Sequence, residues 1–100
     1  MSASFSMTKL AVKDLEDIWH FTAENWSIVQ VDRYYQSLIT EIRFLANNPG
    51  LGKSYADLLK NCFGFAVGSH IVFYKKCDPE GILIVRIIHQ RMDLSGRLFN

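Results

Sequence analysis

One hundred residues with 49% apolar and 21% charged side chains can build one packed core but not two, so a single domain over 1–100 is expected rather than a disordered or multidomain chain. The formal net charge of +1 excludes the strong basic excess of a protein that lives on phosphate contacts, so sequence-specific nucleic-acid binding is not expected. No apolar run of about 18 residues and no charged leader before an apolar stretch is present, so neither a spanning helix nor a signal peptide is expected.

Residues 4–7 read as a short strand, and Thr8 is placed to cap a helix with its hydroxyl. Ala11, Leu15, Ile18, Trp19, Thr22 and Trp26 then recur at helical spacing, with Lys13, Asp14, Asp17 and Glu24 on the other side. Ser27 with Gln30 forms a capping box, and Trp26 before it is expected to pack on Val31 as a hydrophobic staple. The second helix carries an apolar seam of Ile28, Val31, Tyr35, Leu38, Ile42 and Leu45. The sharp connection at Trp26-Ser27 implies an antiparallel helical hairpin. Asn47-Asn48-Pro49-Gly50 ends it, because the residue before proline avoids helical backbone. Residues 51–61 read as a loop with one helical turn over 55–60.

Three strands follow, over residues 62–67, 70–77 and 82–88. Gly68-Ser69 and Asp78-Pro79-Glu80-Gly81 are turns too short for crossovers, so the pairs are antiparallel. If Val67 opposes His70 and Cys77 opposes Ile82, then Phe63, Phe65, Val67, Val72, Tyr74, Leu83, Val85 and Ile87 share one face, which packs on the helices. Gly64, Ala66, Ile71, Phe73, Lys75, Ile84, Arg86 and Ile88 share the other. No segment is evident to cover that second face, so it reads as a surface for another protein. The same register sets Cys77 diagonal to Cys62, about 7 to 8 Å away and beyond ordinary disulfide reach. Both thiols are expected free, in a reducing cytoplasm.

Basic residues gather late, at Lys75, Lys76, Arg86, Arg91 and Arg97, while Asp14, Glu16, Asp17 and Glu24 make the first helix acidic. An arginine inside an Ile/Val strand must be paired, hydrated or given to a partner. Arg86, His89 and Arg91 are candidates for a phosphodiester-cleaving site, with His89 transferring the proton. No tyrosine or carboxylate other than Asp93 lies near them in sequence, and Asp93 reads as a partner for Arg91 or Arg97. The favoured reading is therefore a strand-end histidine flanked by solvated arginines. His20, His70 and His89 fit no compact ligand pattern, so neither a metal nor a cofactor is expected.

Several stretches taken in order resemble the ParE branch of the RelE/ParE toxin superfamily. They are Asp14-Leu15-Glu16-Asp17-Ile18-Trp19, Asn48-Pro49 before Leu51-Gly52, Val67-Gly68 with His70 and Phe73-Tyr74, and Val85-Arg86-Ile87-Ile88-His89-Gln90-Arg91-Met92-Asp93. The resemblance spans nearly the whole chain. It implies an α+β fold in which an N-terminal strand and a helical hairpin pack on a small antiparallel sheet with three C-terminal strands. It implies the toxin of a type II toxin-antitoxin module, a plasmid stabilisation protein that acts in the cytoplasm. Such a toxin inhibits DNA gyrase by binding it and is neutralised by a ParD-like antitoxin wrapped around it. The RelE branch instead cuts messenger RNA on the ribosome, which would draw on Arg86, His89 and Arg91. A decayed toxin that only binds antitoxin is the remaining alternative. Ala66 stands where the family commonly has proline and Ser69 where it has arginine, which lowers the positive charge near the middle strands. The antitoxin is expected on Ile71, Phe73, Ile84, Arg86 and Ile88. The segment with Arg91, Met92, Asp93, Leu94, Arg97, Leu98 and Phe99 is expected to contact the target.

Overall fold

The computed structural model describes residues 4–77 and 80–90. The chain runs β1 (Phe5–Met7), α1 (Lys9–Asn25), α2 (Ile28–Asn47), a 3-10 turn at Pro49–Leu51, β2 (Lys53–Ser54), β3 (Phe63–Val67), β4 (His70–Lys76) and β5 (Ile82–His89). The strands form one sheet in the order β1-β5-β4-β3-β2. The three C-terminal strands pair antiparallel as expected, and β2 adds antiparallel to β3. β1 lies parallel to β5, so the sheet is mixed. A parallel neighbour needs a long crossover, and the intervening helices and strands supply it.

Both helix starts follow from their capping residues. The Thr8 hydroxyl accepts from the Ala11 amide, and Ser27 and Gln30 exchange the two bonds of a capping box. These bonds satisfy amides that the first turn would otherwise leave without partners. The α2 seam is buried at Val31, Leu38, Ile42 and Leu45, with Ala46 added. Ile28 departs from it and is 63% exposed, because the corner that carries it stands in solvent from Trp26 to Gln30. Trp26 is itself exposed, and its ring meets Tyr34 edge-on at 6.0 Å.

The main core joins α1 and α2 to one sheet face through Ala11, Leu15, Leu38, Ile42, Leu45, Val72, Tyr74, Ile82, Ile84 and Ile87. Each fully buried aliphatic side chain there contributes about 1.5–3 kcal/mol. Leu83 and Val85, expected on this face, do not form its core, and Ile82 and Ile84 take their place. A bulge is the cause. From His70↔His89 to Phe73↔Arg86 the register is the expected one, but Tyr74 then opposes Ile84 and Lys76 opposes Ile82. Val85 is the extra residue, and one inserted residue flips every side chain beyond it to the other face.

The second sheet face is covered, contrary to expectation. Cys62, Phe73 and Ile88 form a small separate core closed by Tyr55, Leu59 and Ile71. The cover is the segment over residues 55–62, where the Leu58 and Leu59 amides donate to the Tyr55 carbonyl and the Tyr55 amide donates to the Cys62 carbonyl. Its helical turn matches the sequence reading. The Tyr55 ring stands edge-on to Phe73 at 5.1 Å. Both cysteines are unbridged, Cys62 buried and Cys77 exposed.

Gly52 fixes where α2 returns to the sheet. Its amide donates to the Tyr74 hydroxyl at 2.9 Å, and that hydroxyl donates to the Pro49 carbonyl at 2.6 Å. A Cβ on Gly52 would fall 2.2 Å from the same oxygen, so no larger residue fits beside this buried tyrosine.

Candidate functional site

The Arg86 side chain is largely buried on β5 and is held by the chain itself. Its Nε donates to Asp14 Oδ2 at 2.7 Å and its Nη2 to Oδ1 at 2.9 Å. The Ile87 amide also donates to Asp14 Oδ2, at 3.0 Å. The hydrogen bond that Arg86 donates to Asp14, more than the carboxylate's charge, holds the Arg86 pKa above the ordinary guanidinium value, against the opposing effect of burial. The two-pronged arrangement is the strong form of such a pair. It also finishes an edge. β1 covers β5 only as far as Ile84, after which the Thr8 amide donates to the Ile84 carbonyl and the Thr8 hydroxyl to the Val85 carbonyl at 2.8 Å. Asp14 takes the next outward amide, so α1 replaces the missing strand.

These contacts revise the expected antitoxin surface. Phe73 and Ile84 are both 0% exposed and Ile88 is 3% exposed. Ile84 faces the helices, Phe73 and Ile88 lie under the 55–62 cover, and Arg86 has Asp14 as its partner. Of the five residues Ile71 and Arg86 are partly exposed, and Arg86 is turned to Asp14.

The end of the sheet gathers residues that are far apart in sequence. His70 and His89 oppose each other across β4 and β5, their rings 5.3 Å apart and at 81°. His70 Nδ1 lies 2.7 Å from the hydroxyl of Tyr34 on α2. Burial, reinforced by the neighbouring His89, lowers the His70 pKa, and burial raises that of Tyr34 despite a hydrogen bond with the Ser69 backbone. The hairpin turn is locked beside them. The Gln90 amide donates to the Ser69 carbonyl, and its side chain donates to the Gly68 carbonyl at 3.0 Å. Gly68 has φ +57, and a Cβ there would stand 2.9 Å from the Tyr34 hydroxyl. A side chain larger than glycine would therefore be both strained and crowded.

Tyr34 and His70 belong to this cluster, although the sequence offers no role for Tyr34 and considers His70 only in a metal set with His20 and His89 that fits no compact pattern. The only sequence signal was the register, which sets His70 opposite His89. Tyr34 gave none, because it lies off the α2 seam. His20, by contrast, is exposed on α1 with its ring against Trp19 at 5.9 Å, and it joins no such cluster. Arg91, Met92, Asp93, Leu94, Arg97, Leu98 and Phe99 lie outside the described residues.

Comparison with known proteins gives the same outline. The family described as "ParE toxin of type II toxin-antitoxin system, parDE" matches residues 5–94. Toxin ParE1 of Mycobacterium tuberculosis is 32% identical over 98 residues, which is 98% of this chain and all of that protein. Toxin ParE1 of Caulobacter vibrioides is 31% identical over 94% of this chain and 96% of its own length, and toxin ParE of Escherichia coli is 34% identical over 95% and 92%. Among solved structures, a chain of the chromosomal ParDE system of P. aeruginosa superposes with a TM-score of 0.72, covering 88% of this chain and 96% of its own at 14% identity. A chain of the M. tuberculosis RelBE2 toxin-antitoxin complex gives 0.61, with 90% and 100% coverage at 19% identity. These two show the α+β fold.

Proposed function

The chain belongs to the ParE toxin family of type II toxin-antitoxin systems, and from that premise we propose that it arrests growth by binding and inhibiting DNA gyrase, without catalysis of its own. The observation that carries the non-enzymatic reading is the Asp14–Arg86 pair. A phosphodiester-cleaving site built on Arg86, His89 and Arg91 needs a cation aimed at the phosphate. Here the strand arginine is directed into a carboxylate and an edge repair.

A ParD-like antitoxin is the neutralising partner in this reading. Its seat is the Ile71 side of the sheet, and Phe73 and Ile88 become reachable only when the 55–62 cover moves. Ile84 and Arg86 are not part of it. Target contact is assigned to the segment with Arg91, Met92, Asp93, Leu94, Arg97, Leu98 and Phe99, and the site of action is the cytoplasm. Among the described residues no helix is long and apolar enough to cross a membrane.

One observation favours the endoribonuclease alternative, namely that Tyr34 and His70 stand beside His89 and supply the proton-transfer groups its sequence neighbourhood lacks. The purified protein added to a gyrase supercoiling assay and to ribosomes translating a defined message separates the two. Inhibited supercoiling with intact message is expected. Cleaved message with unaffected gyrase would replace this reading with the RelE one, and induction without growth arrest would leave only antitoxin binding.

A further inference from the structure

Two imidazoles facing each other across neighbouring strands, one of them held from outside by a hydroxyl, are the first half of a metal site. A tetrahedral dication bound at about 2.0–2.1 Å by one nitrogen of each ring sets the ring centres about 5 Å apart. The rings of His70 and His89 are 5.3 Å apart. They now meet edge to face, but the torsion that turns an imidazole about its Cβ–Cγ bond is broad and moves the ring centre little. The backbone therefore already holds the spacing that a shared ion requires.

The surroundings favour the same ligand. A metal-binding histidine gives its other ring N–H to an oxygen, which fixes the tautomer, and the Tyr34 hydroxyl lies 2.7 Å from His70 Nδ1. With the proton on Nδ1, the Nε2 lone pair is available. The scaffold beneath is rigid, since Gln90 ties β5 back to the Gly68-Ser69 turn through two hydrogen bonds.

We propose that His70 and His89 form a two-imidazole site for a borderline transition-metal dication of the zinc, nickel or copper class, with Tyr34 as the positioning residue of His70. Among the described residues no group of three or more histidine, cysteine or acidic side chains could hold a metal. The described residues therefore supply two ligands, and water or a donor from a bound protein fills the remaining positions. Imidazole without a carboxylate selects this class over calcium or magnesium. The exposed Cys77 thiol is a competing soft ligand, so the test removes it.

Tag-free full-length protein carrying Cys77→Ser is titrated with nickel chloride and, separately, zinc chloride near neutral pH by calorimetry. One equivalent is expected to bind. His70→Ala and His89→Ala are each expected to abolish the isotherm, and His20→Ala to leave it unchanged. Tyr34→Phe should weaken affinity by about tenfold at the same stoichiometry, as loss of an outer hydrogen bond does. A second measurement needs no variant at the site. In the NMR spectrum, substoichiometric copper(II) should broaden the imidazole signals of His70 and His89 before those of His20. An absent isotherm, binding that survives both histidine substitutions, or equal broadening of all three histidines would overturn the site.

Discussion

Asp14 on α1 and Arg86 on β5, 72 positions apart in sequence, form a two-pronged ion pair whose carboxylate also accepts the Ile87 amide. The pair therefore has a structural duty. It lets a single carboxylate neutralise a charge inside the sheet and close the β5 edge where β1 ends. Both side chains are about nine-tenths buried, with relative exposures of 12% and 13%.

Breaking it should be costly. Asp14→Ala leaves an enclosed guanidinium and an outward amide without the carboxylate, and removing one partner of a buried pair costs about 3 kcal/mol. Denaturant unfolding of the variant should show that loss, and Arg86→Met in the same background should restore part of it. An unshifted midpoint for Asp14→Ala would mean that water replaces the carboxylate at no cost.

The capping box predicts a smaller effect at a more exposed place. Ser27→Ala removes the side-chain bond to the Gln30 amide and should cost about 1 kcal/mol. Gyrase inhibition by the folded fraction should stay as it was, because the corner acts on stability. Urea melts compared at equal slope would measure it.

Most of the fold is legible in the sequence where a local rule decides alone. Thr8, Ser27 and Gln30 mark the helix starts, and Gly68-Ser69 sets the β3–β4 register. The first half of β5 takes the opposite face from the one its alternation predicts, because a bulge leaves no local signature. Val85 looks like any β-branched strand residue, and only the competition between Ile82-Ile84 and Leu83-Val85 for the core selects it. The covering of Phe73 and Ile88 was missed for a related reason. Tyr55 and Leu59 sit in a segment without strand or helix periodicity, so nothing local says which surface they close. The partner of Arg86 was equally invisible, since it comes from a different element, whereas the His70–His89 pairing follows from the turn register.

Phe73 tests the revised face directly. It is fully buried against Tyr55 and Cys62, so Phe73→Ala should destabilise the protein by about 3–5 kcal/mol through lost contacts and the cavity left behind. The effect should appear in the toxin alone, before any antitoxin is added. A variant as stable as the parent, yet poorly neutralised, would restore the picture of an open floor.

Acid should loosen the sheet end. The folded-state pKa of His70 lies below its ordinary value, so the unfolded chain binds more protons as pH falls through about 6.5. Stability contributed by neutral His70 is fully present above that point and is lost progressively below it, down to the folded pKa. His89 from β5 and Tyr34 from α2 face the ring. Thermal melts in metal-free buffer from about pH 7.5 to about pH 5.5 should fall for the parent and fall less for His70→Gln. Parallel curves would assign the acid sensitivity elsewhere.

The segment after β5 carries the remaining functional expectation. Leu94, Leu98 and Phe99 put apolar groups in the segment that follows the last strand, and we assign them to a contact with a partner. Among the described residues Leu38, Ile42, Leu45, Tyr74 and Ile84 are fully buried in one core with Ala11 and Leu15 of α1. A chain ending after Asp93 should therefore fold, melt close to the parent temperature and still be captured by antitoxin, while gyrase inhibition is lost. Circular dichroism, antitoxin pull-down and supercoiling on the same preparation read the three properties separately. Full inhibition by the truncated chain would exclude the tail from the target contact, and a collapsed melting temperature would make the tail part of the fold.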